Sequence, residues 1–471
     1  VERPRLSSLA LWFACWAGLQ VVLIAVPTWL RAHHFAFSNY DLGIYSQALA
    51  RLALDPPNPW LSGRQLFLFN DHFDPILFVV APFTRWFAAV NVGLVMEALC
   101  ASLALLPLAW LRREGRLSSE GLWFLGPLLA LNVGVSQALG FPFHPTTWAM
   151  APLAWLLAAL TLSRWKTALF ALVLLFTFKE EFPFVGLALF AYVFRRGPRP
   201  IAWAWLVVSV GWALFVFVLR PKLFGEVMPY ASVPFRGAED GVVAFVTSRL
   251  SPGVLAGAGD LFVAFLPTLA WLEWTRRKAK QPLADQPKWL GLVLVPMLGI
   301  RLLAMAWRDH YGAVVTTAVV FLLAGWMAKR LVPPRWVVVA TVALLLLTNE
   351  SLLRRSVKSL RGEQGWGASS GCVDAVGRRE ALSQALELTK AAPGPVFVSG
   401  NLLPWLAERN DVYAFGGPQG AKVVPNSLVL ERPPCGDTWG QSLDEREAQW
   451  RAALLFGRVI VEDEFVLVVT R

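Results

Sequence analysis

Residues 167–194 read TALFALVLLFTFKEEFPFVGLALFAYVF. Two apolar arms flank one charged triplet, Lys179-Glu180-Glu181, and basic residues close both far ends, Arg164 and Lys166 before the first arm and Arg195-Arg196 after the second. Each arm is shorter than the roughly 20 apolar residues that cross a bilayer. The pattern predicts a helical hairpin in lipid, with its cations on one side and its triplet held below the opposite surface. A solvated charged loop is the alternative. Against it, the short arms keep the triplet from bulk water, and ionisable groups at that depth are costly unless they serve a function.

The same alternation runs along the chain. The other basic clusters, Arg112-Arg113 and Arg276-Arg277-Lys278, fall in one set of breaks between apolar runs. All five histidines, His33, His34, His72, His144 and His310, fall in breaks too, most with a carboxylate nearby. Only 16% of the 471 residues are charged, 56% are hydrophobic and the mean hydropathy is +0.51. A soluble domain carries about 25% charged residues, so the chain reads as a polytopic α-helical membrane protein. The net charge of +11 then follows from cytoplasmic loops rich in Lys and Arg. The basic residues form no continuous stripe, which argues against nucleic acid as a partner.

Hydropathy predicts about eleven transmembrane helices: Leu9–Leu30, Asn91–Leu111, Leu122–Leu139, Thr146–Leu162, Thr167–Phe178, Phe182–Phe194, Ile201–Leu219, Pro252–Leu272, Trp289–Trp307, Gly312–Met327 and Trp336–Leu347. They make a membrane domain over residues 1–348 with a long outer loop, 31–90, in which Pro75–Phe87 is amphipathic and suits the bilayer interface. Arg220–Ser251, rich in Gly and Pro, reads as a lid. Residues 349–471 are more polar. They predict a small α/β domain outside the membrane, with strands at Pro395–Val398, Asp411–Phe415, Ser427–Leu430, Val459–Val461 and Phe465–Thr470 and a helix over Glu380–Leu388. Cys372 and Cys435 both fall there. In an oxidising compartment they form a disulfide or stay apart as thiols; the sequence leaves both open.

The outer breaks carry the candidate chemistry. Asp41 follows the first span and is either a general base at the membrane edge or the N-cap of a helix from Leu42. Asp71-His72-Phe73-Asp74-Pro75 sets two carboxylates around an imidazole, a pattern for proton transfer, phosphate handling or metal binding, or a turn that ends at Pro75. His144 opens a helix beside Pro145 and is either a polar anchor or a site residue. Lys179 suits a phosphate as a point charge, and Glu180 suits an acceptor or a cation. Arg308-Asp309-His310-Tyr311 is a charged hairpin tip or a second phosphate contact through Arg308.

These motifs recur in order. Tyr40-Asp41-Leu42-Gly43-Ile44-Tyr45-x-Gln47, His72-Phe73-x-Pro75, Phe143-His144-Pro145, Lys179-Glu180-Glu181, His310-Tyr311, Val398-Ser399-Gly400-Asn401-Leu402 and Leu406-x-x-Arg409 together resemble the bacterial membrane-protein family called domain of unknown function 2079 (DUF2079). Glu181 stands where that pattern expects Asp, and Ser46 where an acidic residue is common. The family's architecture is similar to the GT-C superfamily of polytopic glycosyltransferases. The resemblance implies an inner-membrane enzyme that moves a sugar from a polyprenyl-phosphate donor to an acceptor in the cell envelope, with residues 349–471 periplasmic. It implies Asp41 as base, Lys179 and Arg308 on the lipid phosphate, and Asp74, His72, His144, Glu180 and His310 around the substrate. Asp74 and His72 are the pair that would hold a divalent cation such as Mg or Mn, which the chemistry does not demand. A transporter or lipid flippase using these groups as a proton relay, and a scaffold presenting the C-terminal domain, are the competing readings.

Overall fold

The computed structural model describes the chain except residues 1–4, 37–39, 55–56, 142, 226–240, 280–289, 305–306, 308, 328–331, 351–352, 355, 358–376, 416–422 and 433–441. Cys372, Cys435 and Arg308 lie outside the described residues, as does the middle of the expected lid, of which helices Arg220–Phe224 and Val242–Arg249 are seen.

Among the described residues, four helical segments are long and apolar enough to cross a membrane: Leu6–His33, Ala89–Arg113, Arg199–Phe224 and Val242–Lys278. A fifth crossing is available if the pair Ser119–Ala130 and Val133–Gly140, bent by 41°, forms one span. Other apolar helices, including Trp165–Phe176, Gly312–Trp326 and Arg335–Thr348, are shorter. The run Leu122–Leu139, expected as one span, therefore breaks. Pro127 removes a backbone donor inside the first helix, and Asn132 caps the second through its side chain, which accepts from the Gly134 N–H at 2.9 Å. Thr146–Leu162 likewise divides into Pro145–Trp148 and Met150–Thr161. In the first span the ladder widens to a π-turn at Val21–Ala25, just before Pro27. A proline cannot donate there, and a locally widened ladder accommodates it.

Glycines let these helices approach closely. A Cβ on Gly312 would stand 2.8 Å from the Gly134 Cα, so Val133–Gly140 and Gly312–Trp326 meet backbone to backbone, as small residues allow in membranes. The Thr316 hydroxyl donates to Asn132 Oδ1 across this contact at 3.0 Å. The contact seats the Asp309–Tyr311 turn beside the 141–145 loop. Within the hairpin, Trp205 Nε1 donates to the Gly186 carbonyl at 2.8 Å and ties the second arm to helix Arg199–Leu214.

Within residues 31–90, β1 (Trp60–Leu61) and β2 (Leu66–Phe67) form a short antiparallel ribbon. The C-terminal segment builds one five-stranded mixed sheet from β3 (Val396–Val398), β4 (Val412–Ala414), β5 (Ser427–Glu431), β6 (Arg458–Glu462) and β7 (Val466–Thr470). The order is β4-β3-β5-β7-β6. β3 runs parallel to β4 and β5, β7 is antiparallel to β5 and β6, and the β6–β7 register shifts between Val459 and Val461. Helix Arg378–Lys390 packs against β5 and β7. Helix Leu443–Leu454 starts in a reciprocal cap between Ser442 and Glu445.

The sheet is tied to the outer loop by buried polar contacts. The Ser62 hydroxyl donates to the Val412 carbonyl at 2.6 Å, and Gln47 Nε2 donates to the Arg409 carbonyl at 2.9 Å. Arg378 pairs with Glu431 at 2.6 Å and donates to the His34 carbonyl at 2.9 Å. Asn401 bridges Glu431 and the Phe35 carbonyl at 2.8 and 3.1 Å. A Cβ on Gly43 would meet Leu403 Cδ2 at 2.5 Å. The 40–47 motif and the 398–409 motif, joined by Gln47 and Arg409 362 residues apart in sequence, are thus two halves of one interface.

Candidate functional site

Two of the three charges in the triplet are buried and the third, Glu181, is partly so. Lys179 is 4% exposed and Glu180 8%, so the solvated-loop alternative fails. The fold sends its three charges three ways. Glu180 Oε1 pairs with His72 Nδ1 at 2.9 Å. Glu181 pairs with Arg301. Lys179 makes no ion pair or hydrogen bond among the described residues, and its Nζ stands 5.0 Å from the centre of the Tyr311 ring. The Arg301 guanidinium lies over that same ring at 4.1 Å. Glu181 neutralises Arg301, which leaves Lys179 as a buried cation able to attract an anion.

The 71–76 turn is clipped onto the triplet: the Ile76 N–H donates to the Thr177 carbonyl at 3.0 Å. This places His72 and Asp74 beside Glu180. Asp71, expected to share the imidazole, pairs with Arg64 instead, through two hydrogen bonds of 2.9 Å. Asp74 is 1% exposed. Burial raises its pKa to about 7, with the His72 charge pulling it down and Glu180 pushing it up. Burial disfavours charge on His72, but Glu180 outweighs it and the pKa is raised. Burial opposes the Glu180 charge too, yet His72 holds its pKa well below the usual carboxylate range. The His72–Glu180 pair is therefore ionic, beside a carboxyl poised to titrate.

His144 reaches the cluster from the 141–145 loop, which Glu97 steadies from helix Ala89–Leu103 by accepting the His144 N–H at 3.4 Å. His144 Nδ1 accepts from the Thr146 N–H at 3.2 Å, so the ring proton sits on Nε2, which donates to the Tyr45 hydroxyl oxygen at 3.0 Å. His310 stacks flat on His144, ring centres 3.7 Å apart. Burial, then neighbouring cationic groups, drives both pKa values well below 6.5. Two neutral imidazoles can lie face to face where two imidazolium ions could not. Neither His310 nitrogen has a partner among the described residues.

Asp41 lies in the first turn of helix Tyr40–Leu54. The helix has already begun at Tyr40, so Asp41 is not its N-cap. Burial raises its pKa, while His72, Lys179 and Arg64 pull it down. These couplings bring Asp41, His72, Asp74, His144, Lys179, Glu180 and His310 into one cluster. Arg308 falls outside the described residues. Among the described residues no group of three or more His, Cys, Asp or Glu side chains is set to hold a metal. Asp74 and His72 alone do not complete a donor set, and no step below is assigned to one.

Four contributors escaped the sequence reading. Tyr45 was visible only as part of a motif. Glu97 and Arg301 each stand alone inside an apolar helix, Arg220 opens the short helix Arg220–Phe224, and all three are now buried. A single charge in an apolar run is the signal that could have found them.

The description "Predicted membrane protein (DUF2079)" belongs to a family whose sequence model matches residues 31–428. No curated protein matches the chain. Among solved structures the fold is similar to the crystal structure of ArnT from Cupriavidus metallidurans in the apo state, with a TM-score of 0.50 and 13% identity over 91% of this chain and 92% of that one. At that identity the likeness speaks for the fold alone.

Proposed function

The chain belongs to the DUF2079 family of membrane proteins, and from that premise and its ArnT-like fold we propose that it is a GT-C-type glycosyltransferase. Its donor is a polyprenyl-phosphate sugar, and its acceptor is a hydroxyl group in the cell envelope. The site faces the periplasm at the outer edge of the inner membrane, and the C-terminal sheet lies on the same side.

The observation that carries this reading is Lys179, a buried ammonium without an anionic partner among the described residues, in the same cluster as Asp41. A lipid phosphate supplies the missing charge. Asp41 takes the proton of the acceptor hydroxyl as its oxygen attacks the anomeric carbon. The bond from that carbon to the phosphate oxygen breaks, and the phosphate leaves with both bonding electrons. Lys179 stabilises the charge that develops on it. Direct displacement inverts the anomeric configuration. The His72–Glu180 pair and Asp74 set the field around the reacting atoms, and the neutral His144–His310 stack presents a flat face to the sugar.

Purified protein reconstituted with a radiolabelled polyprenyl-phosphate pentose or hexose and a cell-envelope lipid fraction tests the reading. Transfer of label that disappears in Lys179→Met is the expected result. No transfer with any donor, alongside proton-coupled movement of the lipid across the bilayer, would favour a carrier instead.

A further inference from the structure

A cavity of about 830 Å³ lies away from the buried cluster, between helix Tyr40–Leu54, the turn Ala81–Arg85 and the face of the C-terminal segment formed by helix Arg378–Lys390 and the turn Gly400–Leu406. Its volume is in the range of sites that enclose small ligands. Its wall is divided. Phe35, Leu54 and Trp405 supply an apolar side, Arg85, Arg379 and Lys390 supply cations, and Glu387 and Glu408 supply carboxylates. Lys390 is engaged by Glu387 at 2.6 Å, and Arg409, also on the wall, is held by Asp411 and four backbone carbonyls. Arg85 donates only a 3.3 Å hydrogen bond to the Ala53 carbonyl, and Arg379 has no ion pair among the described residues. Among the described residues of the wall, Arg85 and Arg379 are thus the two cations open to an anion.

Arg85, on the cavity wall, lies in an aromatic stretch of the chain. Beside Arg85, the side chains of Phe83, Trp86 and Phe87 are 51%, 71% and 62% exposed. Three large aromatics in five residues, flanking an arginine, suit the headgroup level of a bilayer. A cavity with that arginine on its wall, with cations and an apolar side, matches an amphiphile with an anionic head.

We propose that this cleft is a binding site for an anionic phospholipid of the surrounding membrane. The phosphate is held between Arg85 and Arg379, and the first part of an acyl chain lies against Leu54 and Trp405. The lipid would bridge the outer loop and the C-terminal segment, so its presence would hold the two together. This inference rests on the membrane placement and not on sugar transfer.

The test is native mass spectrometry of the full-length protein released from nanodiscs of defined composition. With phosphatidylglycerol in phosphatidylcholine, the wild type should retain one phosphatidylglycerol. The double variant R85Q/R379Q should need roughly 30-fold more of it, about fivefold for each guanidinium removed. R451E, a charge change at an exposed site far from the cleft in sequence, should retain lipid like the wild type and controls for bulk charge. If the double variant misfolds, the single variant R379Q at its exposed helix position carries the test, with roughly a fivefold change. Equal retention by the variants and the wild type, or equal retention of phosphatidylcholine, would overturn the proposal. Displacement of the lipid by millimolar inorganic phosphate would show a site for free anions and overturn it as well.

Discussion

Asp74→Asn should make the protein more stable at alkaline pH while disabling it. Asp74 is 1% exposed, and burial lifts its pKa from 3.8 to about 7. Below pH 4 the carboxyl is protonated in both the folded and unfolded states and contributes no pH dependence. Between pH 4 and 7 the folded state keeps a proton that the unfolded state has released, so stability falls as pH rises. Above pH 7 the loss is complete. A difference of about three pKa units at 1.36 kcal/mol each sets the loss at about 4 kcal/mol. With about 2.1 cal/mol/K of unfolding entropy per residue over 471 residues, this corresponds to roughly 4 °C in Tm. Asparagine keeps the shape and cannot ionise, so it removes the penalty. Thermal unfolding in a mild detergent between pH 5 and 8 measures it: the wild-type Tm should fall across the range, and the variant should stay flatter and exceed the wild type at pH 8. Parallel curves for both proteins would show that Asp74 does not titrate in this window and would refute the reasoning. A carboxyl that costs stability and is nonetheless buried fits a group kept for function.

Lys179→Met should leave expression and Tm near wild type, because Lys179 has no partner to lose among the described residues, while binding of a polyprenyl phosphate measured by microscale thermophoresis falls at least tenfold. Glu180→Ala should destabilise by about 3 kcal/mol, since it strands the buried His72 cation, and should return the His72 pKa toward or below 6.5, followed by proton exchange or NMR of labelled histidine. Arg378→Ala should leave Glu431 buried without its guanidinium and the His34 carbonyl without the Arg378 donor. Limited proteolysis should then cut the C-terminal segment faster.

That the chain folds into apolar helices was legible in its hydropathy, but of the eleven expected spans four, or five with the bent pair, are long enough to cross among the described residues. What hydropathy hid was the breaks. Leu131 and Asn132 sit inside an apolar run, and only the capping geometry of Asn132 shows that the chain turns there. The strands β3, β5 and β7 were legible as short apolar runs between turn residues. Their mixed parallel and antiparallel order was not, because pairing is decided by contacts between strands far apart in sequence. At the site, Lys179, Glu180 and His72 stood out by charge in an apolar setting. Their pairing did not: nothing local says that Glu180 takes His72 and Glu181 takes Arg301, 120 residues away. The same holds for Asp71, whose two carboxylate oxygens are taken by Arg64, seven residues back.

Single-turnover transfer from a polyprenyl-phosphate sugar, comparing the wild type with Asp41→Asn in proteoliposomes, tests the central claim most directly. Asparagine cannot accept the acceptor proton, and general-base catalysis is worth about 10²–10⁴ in rate. Wild-type transfer that falls by at least a hundredfold in the variant, with donor binding and Tm unchanged, is the predicted result. Transfer by Asp41→Asn at the wild-type rate would contradict the account.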